Sequence, residues 1–247
     1  LETQRALEKA AANEEGLLFS VGEPPVPAPH HARFAKADRQ LLDHAIEAGF
    51  GKDRPPAEGR VAVTTQTVEQ SLDIDADLLL TDLCPIVVLL QRIGRLHRHD
   101  RVRPAGYETA RVIVSVPEER DLSKLVRGRG AASGPHGLGT VYQDLRTLET
   151  TWRLLEADAV LDLPRENRQL VERALHPAAL AEIEGASEAW RKHAQVIQGI
   201  RLSDRGQAGL LTAGWEKEFT EYSLRDDRRK VRTRLGEDDI LLRFDEP

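Results

Sequence analysis

Apolar and polar positions change period several times along the chain, and each change marks an element. Over residues 1–15, Leu1, Ala6, Leu7 and Ala10 recur at helical spacing among Glu and Lys, which predicts a helix with a modest apolar face. That pattern is already under way at Leu1, so the chain is expected to begin within a domain, after a first strand that it lacks. Val21 to Pro29 then carries four prolines, which exclude helix and predict an extended loop or lid. His30-His31-Ala32-Arg33-Phe34 follows, and a helical pattern from Lys36 to Ala48 is expected to end at Gly49 and Gly51.

Two short apolar runs come next, Val61-Ala62-Val63 and Leu78-Leu79-Leu80, each bounded by polar residues and too short for a helix. They read as strands buried on both faces, as in a parallel sheet between helical layers. Pro85 is placed to open a helix running to about His97, and Val112 to Val116 supplies a further strand closed by Pro117. Strand, crossover helix and strand in this order predict an α/β fold, a RecA-like parallel sheet flanked by helices. Glu118 to Pro135 is charged and glycine-rich and reads as a boundary or mobile loop. Helices are expected at Val141–Glu156, Asn167–Leu175 and Ala178–Gln198, with weaker patterning beyond Arg201 and a strand candidate at Ile240–Phe244. The division is therefore a sheet domain over residues 1–120 and a mostly helical C-terminal extension over 121–247.

Composition narrows the picture without fixing it. A chain of 247 residues, 40% hydrophobic and 31% charged, has the makeup of an ordinary globular protein. No apolar run is long enough for a transmembrane helix, and no signal sequence opens the chain, so a cytoplasmic location with no membrane partner is expected. The single cysteine, Cys84, cannot form an internal disulfide, and no Cys or His spacing resembles a metal site. The net charge of −6 argues mildly against nucleic acid. Yet Arg92, Arg95, Arg98, Arg101 and Arg103 stand against Asp100 alone between positions 92 and 103, and that local concentration needs an anion.

Continuing the helix at 100° per residue places Gln91, Arg95 and Arg98 within about 60° of one another, with Leu89, Ile93 and Leu96 opposite. Two guanidiniums aimed the same way repel unless an anion lies between them, and phosphate suits their fork geometry. The plain alternative is an amphipathic helix whose arginines pair with surface carboxylates. Gln91-x-x-Gly94-Arg95-x-x-Arg98 is, however, the motif VI pattern of superfamily 2 helicases, and Gly94 allows close backbone approach at its centre. Upstream, Thr64 to Asp75 is dense in hydroxyls, amides and carboxylates and follows the first apolar run. Loops after parallel strands are where such sheets bind ligands. The alternative there is a polar turn capping a strand.

Thr65-Gln66-Thr67-Val68-Glu69-Gln70-Ser71-Leu72-Asp73-Ile74-Asp75, Thr81-Asp82-Leu83-Cys84-Pro85 and Leu90-Gln91-Arg92-Ile93-Gly94-Arg95-Leu96-His97-Arg98-His99 together closely resemble the type I CRISPR-associated helicase-nuclease family. His31-Ala32-Arg33-Phe34 with Asp38-Arg39 is similar to that family's His-x-Arg-Phe segment. Val141-Tyr142, Asp162-Leu163-Pro164, Leu170-Val171-Glu172 and Thr233-Arg234-Leu235 are similar to later landmarks. The resemblance implies an ATP-dependent motor that moves 3′ to 5′ along single-stranded DNA, recruited by an RNA-guided surveillance complex, with an HD nuclease domain and a first RecA-like domain as partners. It implies that Arg95 and Arg98 are arginine fingers, that Gln91 orients near the γ-phosphate or attacking water, and that Asp73, Gly94 and Arg92 face the nucleotide. Thr65, Gln66, Gln70, His31 and Arg33 are implied at the nucleic acid. ATP and Mg2+ would be held mainly by the first motor domain, and the nuclease metal ions by the HD domain.

These residues contain no Gly-x-x-x-x-Gly-Lys-Ser/Thr phosphate loop and no Asp-Glu-x-His/Asp box after one, so the chain alone is expected to be inactive as an ATPase. His99-Asp100 extends motif VI and lacks the further ligands that a nuclease metal site requires. Trp152, Trp190 and Trp215 suit core or interface packing better than base stacking. A superfamily 2 helicase fragment acting on RNA or damaged DNA, and a non-enzymatic binding module, remain the competing readings.

Overall fold

The computed structural model describes residues 17–31, 34–54, 59–69 and 72–211, together with Ala6 and Lys9. The opening helix as a whole, Arg33, Gln70, Thr233–Leu235, Trp215 and the strand candidate at Ile240–Phe244 lie outside the described residues.

The proline-rich segment forms a small antiparallel hairpin, β1 (Ser20–Val21) with β2 (Val26–Pro27). Helix α1 spans Lys36–Phe50, two residues beyond the expected end. Gly49 is tolerated inside it, and the helix stops at Gly51, whose backbone turns extended and where a Cβ would run into the Glu47 carbonyl. Val61–Val63 is not a continuous strand. Val61 bonds Leu17 and Phe19 in parallel, after which the chain changes partner, so that Val63 accepts from His30.

The central unit is the expected one. Strand β3 (Leu78–Asp82) pairs in parallel with β4 (Arg111–Ser115), with Leu78 opposite Arg111 and Asp82 opposite Ser115. Helix α2 (Ile86–Ile93) connects them, starting from the Pro85 carbonyl, which accepts from the Val88 and Leu89 amides. Burial on both sheet faces is not observed, since the directly opposed Leu80 and Ile113 are 68% and 53% exposed. The loop carrying Gly106, Tyr107 and Thr109 borders that side beside Leu78 and Ile113 but leaves Leu80 and Ile113 largely open.

The stretch after β4 packs rather than hangs free. Leu122 is buried with Leu83, Leu138, Leu145, Leu148, Trp152, Ile183 and Trp190. The Arg120 guanidinium lies 4.3 Å above the Trp152 ring and pairs with Glu149 and Glu156. Helices α3 (Leu145–Ala157), α4 (Asn167–Leu175), α5 (Pro177–Gly185) and α6 (Glu188–Leu211) follow. The single helix expected over 178–198 is thus two, and the second extends well past Arg201. Asp144 caps α3 by accepting from the Arg146 amide, which explains a start later than Val141.

Two further cores matter for the site. Phe19, Leu42, Ile46, Leu72 and Ile74 join α1 to the loop before β3. Cys84, Ile86 and Leu89 bury against Leu154, Leu170 and Ala174 of α3 and α4. Each fully buried Leu or Ile contributes about 2–3 kcal/mol, so the face of α2 opposite its polar residues is firmly seated. Burial among apolar side chains also pushes the Cys84 thiol up to about 11.

Candidate nucleotide and nucleic-acid interface

Helix α2 delivers Gln91 and Arg92 and then stops. At Gly94 the backbone is still right-handed, and its closest approaches are the carbonyls of its own turn, Gln91 at 3.3 Å and Leu90 at 3.4 Å from a built Cβ. The turn then tightens, with the Arg95 amide bonding Arg92 and the Leu96 amide bonding Ile93. Beyond it, the Arg95 carbonyl accepts from the Ala76 amide at 2.8 Å and the His97 amide donates to the Ala76 carbonyl at 3.0 Å. Pairing with residue 76 replaces helical pairing, and His97 takes a positive φ of 48°. The sequence expectation of a helix to His97, with Gln91, Arg95 and Arg98 on one helical face, is therefore corrected. Gln91 stands on the exposed side of α2, while Arg95 and Arg98 project from the turn that follows it.

Arg92 faces inward. Its Nε donates to Glu69 Oε1 at 2.7 Å, Nη1 to Thr81 Oγ1 at 2.6 Å and Nη2 to the Tyr142 hydroxyl at 2.9 Å. Expected at the nucleotide, it clamps α2 to β3, to the short 3-10 turn Gln66–Glu69 and to the segment before α3. Glu69 is central to this arrangement, since its backbone carbonyl also accepts from Arg95 Nη2 at 2.9 Å. Arg95 Nε is buried with no hydrogen-bond partner among the described residues. Burial, and then the Arg98 charge, hold the Arg95 pKa below the usual guanidinium range.

Arg98 is half exposed and meets Asp73 through Nε at 2.7 Å, and His99 Nε2 reaches the same carboxylate oxygen at 2.9 Å. The His99 hydrogen bond first, followed by the charges of His99 and Arg98, keeps the Asp73 carboxyl below its ordinary value. Gly94 is a second, weaker acceptor for Arg98, at 3.4 Å. Deeper in, Asp75 is fully buried and accepts from Arg103 Nη2 at 2.9 Å, while Arg103 Nη1 reaches Asp77, which also binds Arg54. Burial opposes ionisation of Asp75, yet Arg103 and the His99 amide outweigh it and leave the carboxyl low. Of the five arginines in the basic stretch, Arg92, Arg98 and Arg103 thus have carboxylate partners within the chain. Arg95 and Arg101 form no salt bridge among the described residues, and each leaves a buried nitrogen unpaired.

The start of the loop, residues 64–69, is held by hydrogen bonds to its surroundings. Thr65 is exposed, and its amide donates to the His30 carbonyl at 2.9 Å. Gln66 is exposed and donates to the Tyr142 hydroxyl at 3.3 Å. His31 stacks on Phe34 with ring centroids 4.4 Å apart. Thus Thr65, Gln66, Asp73, Arg92, Arg95 and Arg98 are brought onto one connected patch, in which Glu69 and Tyr142 link the two motif segments. The linkers Glu69, Thr81, Tyr142 and buried His30 all lie in segments that the sequence singles out, but their linking role is not legible there. One signal points to Glu69: a run of five arginines requires nearby acceptors, and Glu69, Asp73, Asp75, Asp77 and Asp82 are carboxylates shortly upstream.

Residues 5–101 match the family model for the C-terminal part of the CRISPR-associated nuclease/helicase Cas3. The chain is 34% identical, over 230 residues and 86% of its length, to the CRISPR-associated endonuclease/helicase Cas3 of Thermus thermophilus. This chain belongs to the Cas3 family. It spans about a quarter (24%) of that relative's length. The solved structure of T. fusca Cas3 with ADP superposes with a TM-score of 0.64 at 27% identity, covering 86% of this chain and 22% of that one. A CRISPR RNA-guided surveillance complex before nicking contains a chain that matches with a TM-score of 0.54 at 28% identity, covering 80% of this chain and 23% of that one. The α/β fold, a small parallel sheet with helices, is the one found in the Cas3 C-terminal helicase region. No described helix is long and apolar enough to cross a membrane.

Proposed function

We propose that this Cas3 segment is the second-motor half of an ATP-dependent single-stranded DNA translocase of CRISPR antiviral defence, supplying two arginine fingers and the Thr64–Asp75 loop, which resembles helicase motif V. The observation that carries this reading is the state of Arg95 and Arg98. Among the described residues one has a buried nitrogen with no partner, the other is tethered by an exposed ion pair and a long contact to the Gly94 carbonyl, and the charge of the second is felt by the first. Exposed ion pairs are worth about 0–1 kcal/mol, so an incoming phosphate displaces Asp73 from Arg98 at little cost. Arriving beside them, the γ-phosphate of ATP would neutralise both guanidiniums, which is how arginine fingers stabilise charge in phosphoryl transfer. Asp73, once released, is placed for the ribose, and Gln91 for the γ-phosphate or the attacking water. Gly94 keeps that turn low.

In this reading Thr65 and Gln66, with Gln70, His31 and Arg33, face the single-stranded DNA. ATP and Mg2+ are held mainly by a first RecA-like domain, and cleavage belongs to an HD nuclease domain. The RNA-guided surveillance complex is the recruiting partner, the compartment is the cytoplasm, and residues 1–120 and 121–247 act as motor domain and helical extension. The chain alone hydrolyses no ATP. Mixed with a separately prepared first motor domain and single-stranded DNA it restores turnover, and Arg98→Ala abolishes that restoration. Robust turnover by the isolated chain, or restoration that survives Arg98→Ala, overturns the reading.

A further inference from the structure

We infer that His30 is a positioning residue that sets the DNA-facing start of the motif V loop, through a hydrogen-bonded relay from Asp43 on α1 to Thr67. This rests on the reading of residues 65–70 as nucleic-acid-facing. His30 is completely buried. Its Nε2 lies 2.6 Å from Asp43 Oδ1 and its Nδ1 lies 2.6 Å from Thr67 Oγ1. A buried imidazole with both nitrogens engaged at this distance is held in one orientation, and the carboxylate, an acceptor only, requires the proton on Nε2. In the neutral ring Nδ1 is then an acceptor and the Thr67 hydroxyl donates to it. In the charged ring the direction of that bond reverses and the contact persists.

The backbone of the same residue holds the same loop. The His30 amide donates to the Val63 carbonyl at 2.8 Å, and the His30 carbonyl accepts from the Thr65 amide at 2.9 Å. The Thr65 and Thr67 hydroxyls also lie near that carbonyl, at 3.5 and 3.4 Å. One residue thus meets the loop on both sides of exposed Gln66. With Thr67 bound to the ring, the Thr65 hydroxyl keeps only long contacts, 3.4 Å to Thr67 and 3.5 Å to the His30 carbonyl, which a ligand can displace. Asp43 anchors the relay to a rigid element, since Leu42 and Ile46 on either side of it are core residues. Arg95 and Arg98 contact Glu69, Asp73 and Gly94 and have no bond to His30 or Thr67. The relay therefore meets the nucleic-acid side of the loop directly and the nucleotide side only indirectly, through the short turn that Thr67 shares with Glu69.

The test uses the full-length Cas3 protein containing this chain, with DNA-stimulated ATP hydrolysis titrated separately in single-stranded DNA and in ATP. Thr67→Val keeps the branched shape and removes only the hydroxyl. The expected result is a rise of about fivefold in the DNA concentration giving half-maximal stimulation, the order expected for losing one hydrogen bond. The maximal rate and the KM for ATP stay within twofold. Asp43→Asn gives a smaller shift in the same direction, because the amide still presents an acceptor to Nε2, and Asp43→Ala gives the full shift. Thermal unfolding within a few degrees of wild type shows that the variants are folded. If Thr67→Val and Asp43→Ala both leave the DNA dependence unchanged in a wild-type background that is DNA-stimulated, the relay is wrong and the functional reading stands. If ATP KM and maximal rate move instead, the relay is merely structural and the inference is also lost. A wild-type protein with no DNA stimulation overturns the functional reading itself.

Discussion

Replacing Glu69 by alanine removes the carboxylate on which the two motif segments converge, and its cost follows from the surroundings. The Arg92–Glu69 contact is 2.7 Å long and the two side chains are 18% and 7% exposed. Removing one partner of a fully buried pair costs about 3–5 kcal/mol, because a charge is left without compensation. Arg92 keeps Thr81 at 2.6 Å and Tyr142 at 2.9 Å and reaches some solvent, so about 2–3 kcal/mol is expected here. The loss is local to α2 and the turn after it, and amide hydrogen exchange reads local opening directly. At 1.4 kcal/mol per factor of ten, exchange of peptides covering Ile86–Leu96 should quicken by about 30- to 150-fold. Peptides in α5 should not change. Glu69→Gln, which retains an acceptor oxygen, should lie between wild type and alanine. Exchange in Glu69→Ala within threefold of wild type would refute the clamp.

Tyr142→Phe removes the acceptor shared by Arg92 and Gln66 and should cost about 1 kcal/mol. The same exchange measurement should then show about a fivefold increase over α2, and no change would mean that the segment before α3 does not brace the motif. Asp73 has a carboxyl held below its ordinary 3.8, so the stabilisation it gives is complete above that value and is lost as pH falls through the lower folded value. Carboxyl titration by NMR should place its midpoint below 3.8, with the Arg98 contact intact throughout the neutral range. A midpoint at or above 3.8 contradicts the Arg98–Asp73–His99 contact.

Much of the sheet was legible because its signals are local. Leu78–Leu80 and Val112–Val114 are apolar runs that read as strands, Pro85 marks the helix start, and the five residues after it are all apolar. What failed depended on contacts distant in sequence. Nothing near Arg95 announces that residue 76 will take its carbonyl, yet that pairing ends α2 at Ile93 and separates both arginines from the helical face. Val61–Val63 has the composition of a strand but divides its bonds between residue 17–19 and residue 30 partners. The inward turn of Arg92 was equally hidden, because its three acceptors lie 23, 11 and 50 residues away. The motif residues were recognisable by type and spacing, whereas the side chains that hold them, Glu69, Tyr142 and His30, are ordinary residues made important by the fold.

The central claim is that Arg95 and Arg98 act on a nucleotide held by another domain. Steady-state ATP hydrolysis by the full-length protein, at saturating single-stranded DNA, tests it most directly with Arg95→Ala and Arg98→Ala. Loss of an arginine finger lowers kcat by about a thousandfold or more, so each variant should fall by that order while remaining folded and still binding ATP. A kcat within tenfold of wild type for both variants would contradict the account.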